Sequence, residues 1–153
     1  MKQLLKSMSV AACVLALHVP GWAADGRGTA AEATAMVQRA VEYLKTNGPA
    51  KAYAAFNDQA GQFKDRDLYV FVIDFNGKVQ AHGANAKLLG KDLMNLKDAD
   101  DKFFMKEMID TAKTKGKGWI DYKWPNPVSK AIEPKSTYFE KVDDTLVGCG
   151  VYK

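Results

Sequence analysis

The chain has 153 residues, 47% hydrophobic and 26% charged, which gives room for one packed domain and not two. Its formal net charge is +4. The lysines are scattered among acids and the only arginines are Arg27, Arg39 and Arg66, so the clustered basic face that nucleic-acid binding needs is missing.

Residues 1–23 read as a secretory signal peptide. Lys2 and Lys6 open it, the apolar run Val10–Leu17 is too short to span a bilayer, and Gly21 and Ala23 are small residues where a signal peptidase reads. Cleavage is expected after Ala23, with Ala24 as the neighbouring option. That leaves one domain, 24–153, with 20 basic and 18 acidic residues. No second long apolar run follows, so the mature chain is expected in the periplasm without a membrane span. Cys13 leaves with the signal, and Cys149 alone makes no internal disulfide. Cys149 sits in an apolar strand end with no base beside it and reads as a small buried hydrophobe.

Thr29–Asn47 has helical spacing in Ala33, Met36, Val37, Ala40, Val41 and Leu44. Thr29 caps it, and Asn47-Gly48-Pro49 stops it before a second helix that runs to about Phe56. Leu68–Ile73 is apolar on both alternating faces and predicts a central strand. Asn76-Gly77 is a hairpin signal. The returning strand, Lys78–His82, is expected to put Val79 and Ala81 on one face and His82 on the other. Residues 83–101 form a polar connection with a short helix. Asp98–Asp101 lacks the glycine and terminal glutamate of a calcium loop, and Asp100 or Asp101 is expected to cap a helix from Lys102 to Lys115. Three strands follow: Trp119–Trp124, Lys135 to about Val142, and Thr145–Tyr152. The fold class is therefore α+β. An antiparallel sheet of about five strands carries the N-terminal helices on one face and the middle loop and helix on the other.

Tyr69–Asp74, Gly77, Ala81-His82, Leu89–Leu93, Gly116-x-Gly118-Trp119-x-x-Tyr122-x-Trp124-Pro125-x-Pro127, Lys135-x-x-Tyr138 and Val147-Gly148-x-Gly150-Val151-Tyr152 resemble, in this order, a single Cache domain of type 2. The resemblance covers essentially the whole mature chain. It implies a PAS-like sheet with a long N-terminal helix on one face and a ligand pocket on the other. It also implies an extracytoplasmic sensor of small molecules, often short organic acids. Such domains normally sit between two membrane helices and drive a receptor or kinase. This sequence shows neither a second membrane helix nor an output module, and is read as a free-standing form. It also has Gly83 where many relatives have proline.

The candidate ligand-binding residues are His82, Tyr122, Trp124, Lys135, Tyr138 and Trp119. Tyr122 and Trp124 share a strand face, whereas Trp119 points the other way if the strand is regular. Lys135 offers an ammonium to a carboxylate, and Tyr138, Trp124 and His82 offer further donors. The competing readings are a solvated strand-end Lys135 and an exposed His82. No catalytic residue, metal site or cofactor is assigned, because no nucleophile–base pair, ligand cluster or phosphate-cradling glycine loop is present. The expected function is small-molecule binding, with a membrane receptor or transporter as protein partner. The alternative is an interaction module that keeps the fold without a ligand.

Overall fold

The computed structural model describes residues 26–153. The signal peptide and its cleavage site, expected at residues 1–23, lie outside the described residues.

Helix α1 (Ala30–Asn57) opens with a full capping box, in which Thr29 and Glu32 bond each other's backbone. It breaks at Gly48, where φ is 76° and ψ 165°, so Pro49 starts a new segment as the sequence predicts. A two-residue hairpin, β1 (Lys64–Asp65) and β2 (Leu68–Tyr69), leads into the main sheet. That sheet has five antiparallel strands in the order β4-β3-β7-β6-β5. They are β3 (Phe71–Asp74), β4 (Val79–His82), β5 (Lys117–Pro125), β6 (Ile132–Val142) and β7 (Thr145–Tyr152). Helix α2 (Phe104–Lys115) ends at Gly116 in the left-handed conformation, φ 76°.

The sheet separates two cores. On one face α1 packs Ala33, Met36, Val37, Ala40, Val41 and Leu44 against Val70, Val72, Ala81, Val142, Val147 and Cys149. On the other, α2 and the middle loop cover Tyr69, Phe71, Ile73, Val79, Phe139, Leu146 and Tyr152. The second face holds the site.

The run Leu68–Ile73, expected as one central strand, divides at Val70 into β2, which pairs with β1, and β3 of the main sheet. Two further local expectations change. The β3–β4 register jumps between Val72↔Ala81 and Ile73↔Val79, leaving Gln80 unpaired as a bulge. The extra residue reverses the alternation. Val79 therefore joins the second face with His82, while Ala81 goes to the α1 face. The second change concerns the start of α2, which begins at Phe104 with no side-chain cap. The acid that matters is Asp98. Its carboxylate accepts the backbone N–H of Asp100 at 2.9 Å, Lys102 at 3.0 Å and Lys123 at 2.9 Å. It thus fastens the loop over the second face to strand β5. Asp98→Ala leaves three amide donors without this acceptor and is expected to cost about 1–3 kcal/mol, read as a lower midpoint in urea unfolding.

Candidate functional site

Tyr122, Lys135 and Tyr152 lie side by side in register across β5, β6 and β7, so their side chains share the second face. Lys135 is 1% exposed. Its stem crosses β7 at Gly150, where an added Cβ would overlap Lys135 Cε and Thr137 Oγ1. Gly148 does the same for the ring of Phe71. The two glycines leave bare backbone under the site, the usual meaning of glycine inside a strand.

Lys135 Nζ donates to Tyr69 Oη at 2.6 Å. Tyr69 Oη and Tyr152 Oη are 3.2 Å apart, and Tyr152 donates onward to the carbonyl of Pro125 at 2.8 Å. Among the described residues Nζ has no second hydrogen-bond acceptor and no ion-pair partner. Aromatic rings surround it instead, with centroids at 4.1 Å for Tyr69, 4.9 Å for Tyr152 and 5.9 Å for Phe71. Burial of the ammonium without a counter-ion lowers the Lys135 pKa to about 7.

His82 is buried, with its ring 4.9 Å from Tyr69 and 6.2 Å from Phe71. Its Nδ1 accepts the backbone N–H of Ala84 at 3.3 Å and of Asn85 at 3.0 Å. A nitrogen that accepts carries no proton, so the neutral ring holds its proton on Nε2 and can donate there. Burial first, and then the charge of Lys135, drive its pKa down to about 3. Gly83 completes the turn by donating its N–H to the carbonyl of Val70 at 2.9 Å, a bond a proline cannot make.

Tyr122 stacks flat on Phe104 at 4.4 Å, and Trp124 meets Phe104 edge-on at 5.5 Å. The Tyr122 hydroxyl is 3.1 Å from Thr137 Oγ1, so Tyr122 serves as a wall. The inner chamber is bounded by Tyr69, His82, Phe104, Tyr122, Trp124 and Lys135 and has about 20 Å³ of open space, room for one or two water-sized groups. Tyr69, His82 and Trp124 also border a vestibule of about 370 Å³ on the side of Asn85, Leu88 and Pro127.

Of the six candidates, the structure brings His82, Tyr122, Trp124 and Lys135 together at this chamber. It does not bring Tyr138 or Trp119. These two are register partners on the opposite, α1 side of the sheet, with rings 5.3 Å apart. Tyr138 donates to Glu140 at 2.6 Å and packs in the α1 core, while Trp119 is 43% exposed. An odd spacing along a strand separates faces, and Tyr138 lies three residues from Lys135. Tyr69 and Tyr152 complete the site although the sequence did not single them out. Their signal was a hydroxyl inside otherwise apolar strands, which a buried site must give a partner.

The family model for single Cache domain 2 matches residues 19–153. The chain belongs to that family. It is 32% identical over 90 residues to the methyl-accepting chemotaxis protein McpP of Pseudomonas putida, covering 58% of this chain and 16% of that protein. It is 34% identical over 89 residues to the sensor histidine kinase MctS of Rhizobium johnstonii, covering 57% of this chain and 19% of that one. The Cache chain thus spans under a fifth of either relative's length in these matches. A methyl-accepting chemotaxis protein of Vibrio parahaemolyticus superposes with TM-score 0.69 and 26% identity, over 80% of this chain and 86% of that one. A Cache chemosensory domain solved for its carboxylic acid recognition superposes with TM-score 0.67 and 24% identity, over 80% and 91% of the chains.

Two outcomes are expected. The folded Lys135 pKa of about 7 lies below its ordinary 10.5. Between those values the unfolded chain therefore holds more protons, and this lysine destabilises the empty fold most below pH 7. Lys135→Met is expected to stabilise the unliganded protein by about 1–4 kcal/mol at pH 6 and by less at pH 9, measured by chemical denaturation at both pH values. Gly150→Ala is expected to displace the Lys135 stem and cut ligand affinity at least tenfold, while Gly26→Ala, with nothing within 4 Å of its new Cβ, leaves affinity unchanged in calorimetric titration.

Proposed function

We propose that this Cache domain is a periplasmic sensor domain for a short monocarboxylate held head-first against Lys135. The observation that carries the reading is the buried ammonium with a single acceptor, at the end of a chamber walled by aromatic rings. A carboxylate there would accept from Lys135 and from the Nε2–H of His82 as charge-assisted bonds. Two donors and one head-sized chamber suit one carboxylate. The acid's short tail would lie along Trp124 toward the vestibule. The carboxylic acid recognition of the structurally similar Cache domain supports the same class.

A membrane receptor or transporter as protein partner is part of this proposal. The relatives it draws on are a chemotaxis receptor and a sensor kinase. No catalytic role is assigned. The Cys149 thiol is pushed up to about 12 by burial, and its sulfur lies 3.8 Å from Met36 Sδ. Among the described residues, no group of three or more His, Cys, Asp or Glu is placed to hold a metal, and no helix is long and apolar enough to cross a membrane.

The alternative is an interaction module that keeps the fold without a ligand, and the narrowness of the inner chamber, about 20 Å³, favours it. Isothermal titration with acetate, propionate and butyrate separates the two. Binding is expected, with at least tenfold loss in Lys135→Met and in His82→Ala and no loss in Tyr138→Phe or Trp119→Ala. Absence of binding by all three acids in the folded wild type would sink the sensor reading in favour of the module.

A further inference from the structure

We propose that the site takes up a proton together with its ligand: the carboxylate enters as the anion, and Lys135 passes from neutral amine to ammonium as it binds. This rests on the carboxylate reading above and adds a control by pH.

Each element around Lys135 presents it with a ring or an uncharged group. From β2, Tyr69 presents its ring and a hydroxyl at 2.6 Å. From β7, Tyr152 presents a phenol pushed up by burial and therefore uncharged; Cys149, on the opposite face of that strand, is a thiol also pushed up by burial. From β5, Tyr122 presents a phenol also pushed up by burial. From β4, His82 is neutral, because its Nδ1 is occupied by two amide N–H groups. Helix α2 contributes Phe104 and Met105 and no charge. Carboxylates exist nearby, but none pairs with Nζ. Asp67 is 1% exposed in the β1–β2 turn and accepts the N–H of Gly28 at 2.7 Å through Oδ1. Its Oδ2 has no hydrogen-bond partner among the described residues. Glu133, two residues along β6, is taken by Asn126, Ser129 and Arg27. Asp98 holds three backbone amides, and Asp121 pairs with Lys153 at 3.0 Å.

A buried amine in this setting has every acceptor but one withheld, and the charged form is disfavoured. Burial sets its pKa at about 7. A carboxylate placed in the chamber supplies the missing counter-ion and restores the ammonium. The proton comes from solvent and goes to Nζ, and no other bond changes. Below pH 7 the lysine is already charged and binding takes up almost no proton. Above pH 7 each unit lowers the affinity about tenfold, until the liganded lysine itself titrates.

The test is calorimetric titration of the full chain with propionate at pH 6.0 and 8.5, each in two buffers of different ionisation enthalpy. The proton count is expected to be near zero at pH 6.0 and close to one at pH 8.5, with affinity about 30-fold weaker at the higher pH. Lys135→Arg keeps its charge throughout and is expected to flatten the profile. If the guanidinium does not fit over Gly150, the wild-type proton count decides alone. Equal affinity at both pH values with no proton taken up overturns the inference and leaves the carboxylate reading standing. Proton uptake that persists in a binding-competent Lys135→Arg assigns it to another group and also overturns it. No propionate binding at either pH removes both.

Discussion

An ammonium buried among tyrosines is the constraint around which the second face is arranged. Taking such a charge out of water is costly, and the cost is met only in part by one hydroxyl and three ring faces. The neighbours follow from that. His82 is held as a neutral donor by two amide hydrogens. Tyr69 and Tyr152 pass a hydrogen-bond chain to the Pro125 carbonyl. A core built for stability alone would put an aliphatic side chain at position 135. Keeping a lysine there sacrifices stability in the empty state, which on the proposed function a carboxylate ligand restores.

The fold brings these groups to one place by three local devices. The Gln80 bulge turns His82 and Val79 to the same side of β4. The flat register of β5, β6 and β7 lines up Tyr122, Lys135 and Tyr152. The Asp98 carboxylate ties the covering loop to β5 by its Lys123 amide, one residue from Trp124. Each device acts on backbone, and none needs the site residues themselves to provide the framework.

Much of this was legible in the sequence. Helical spacing, the Asn76-Gly77 turn and the helix break at Gly48 are local signals, and the elements formed where those signals lie; the doubly apolar run at Leu68–Ile73 marked buried strand, but not its division at Val70 between two sheets. Strand alternation also separated Tyr122 and Trp124 from Trp119 correctly. The same rule, applied from Lys135 to Tyr138, would have removed Tyr138 from the candidates. Other features were not readable. The Gln80 bulge depends on pairing with β3, and a single strand does not reveal its partner's register. Asp98 and Asp101 look alike in sequence, yet only the folded loop shows which one meets the amide of Lys123. Tyr69 and Tyr152 are 83 residues apart, and no spacing rule joins them.

The glycines at 148 and 150 carry one further consequence. They fix how far the ammonium and the Phe71 ring sit from the sheet, because nothing else stands between them and the backbone. The depth of the chamber is therefore set by two residues with no side chain to contact a ligand. On the proposed carboxylate reading, divergence at these positions would retune which acid length is accepted while every lining residue stayed the same. Relatives sorted by their lining side chains alone would be grouped together despite different preferences.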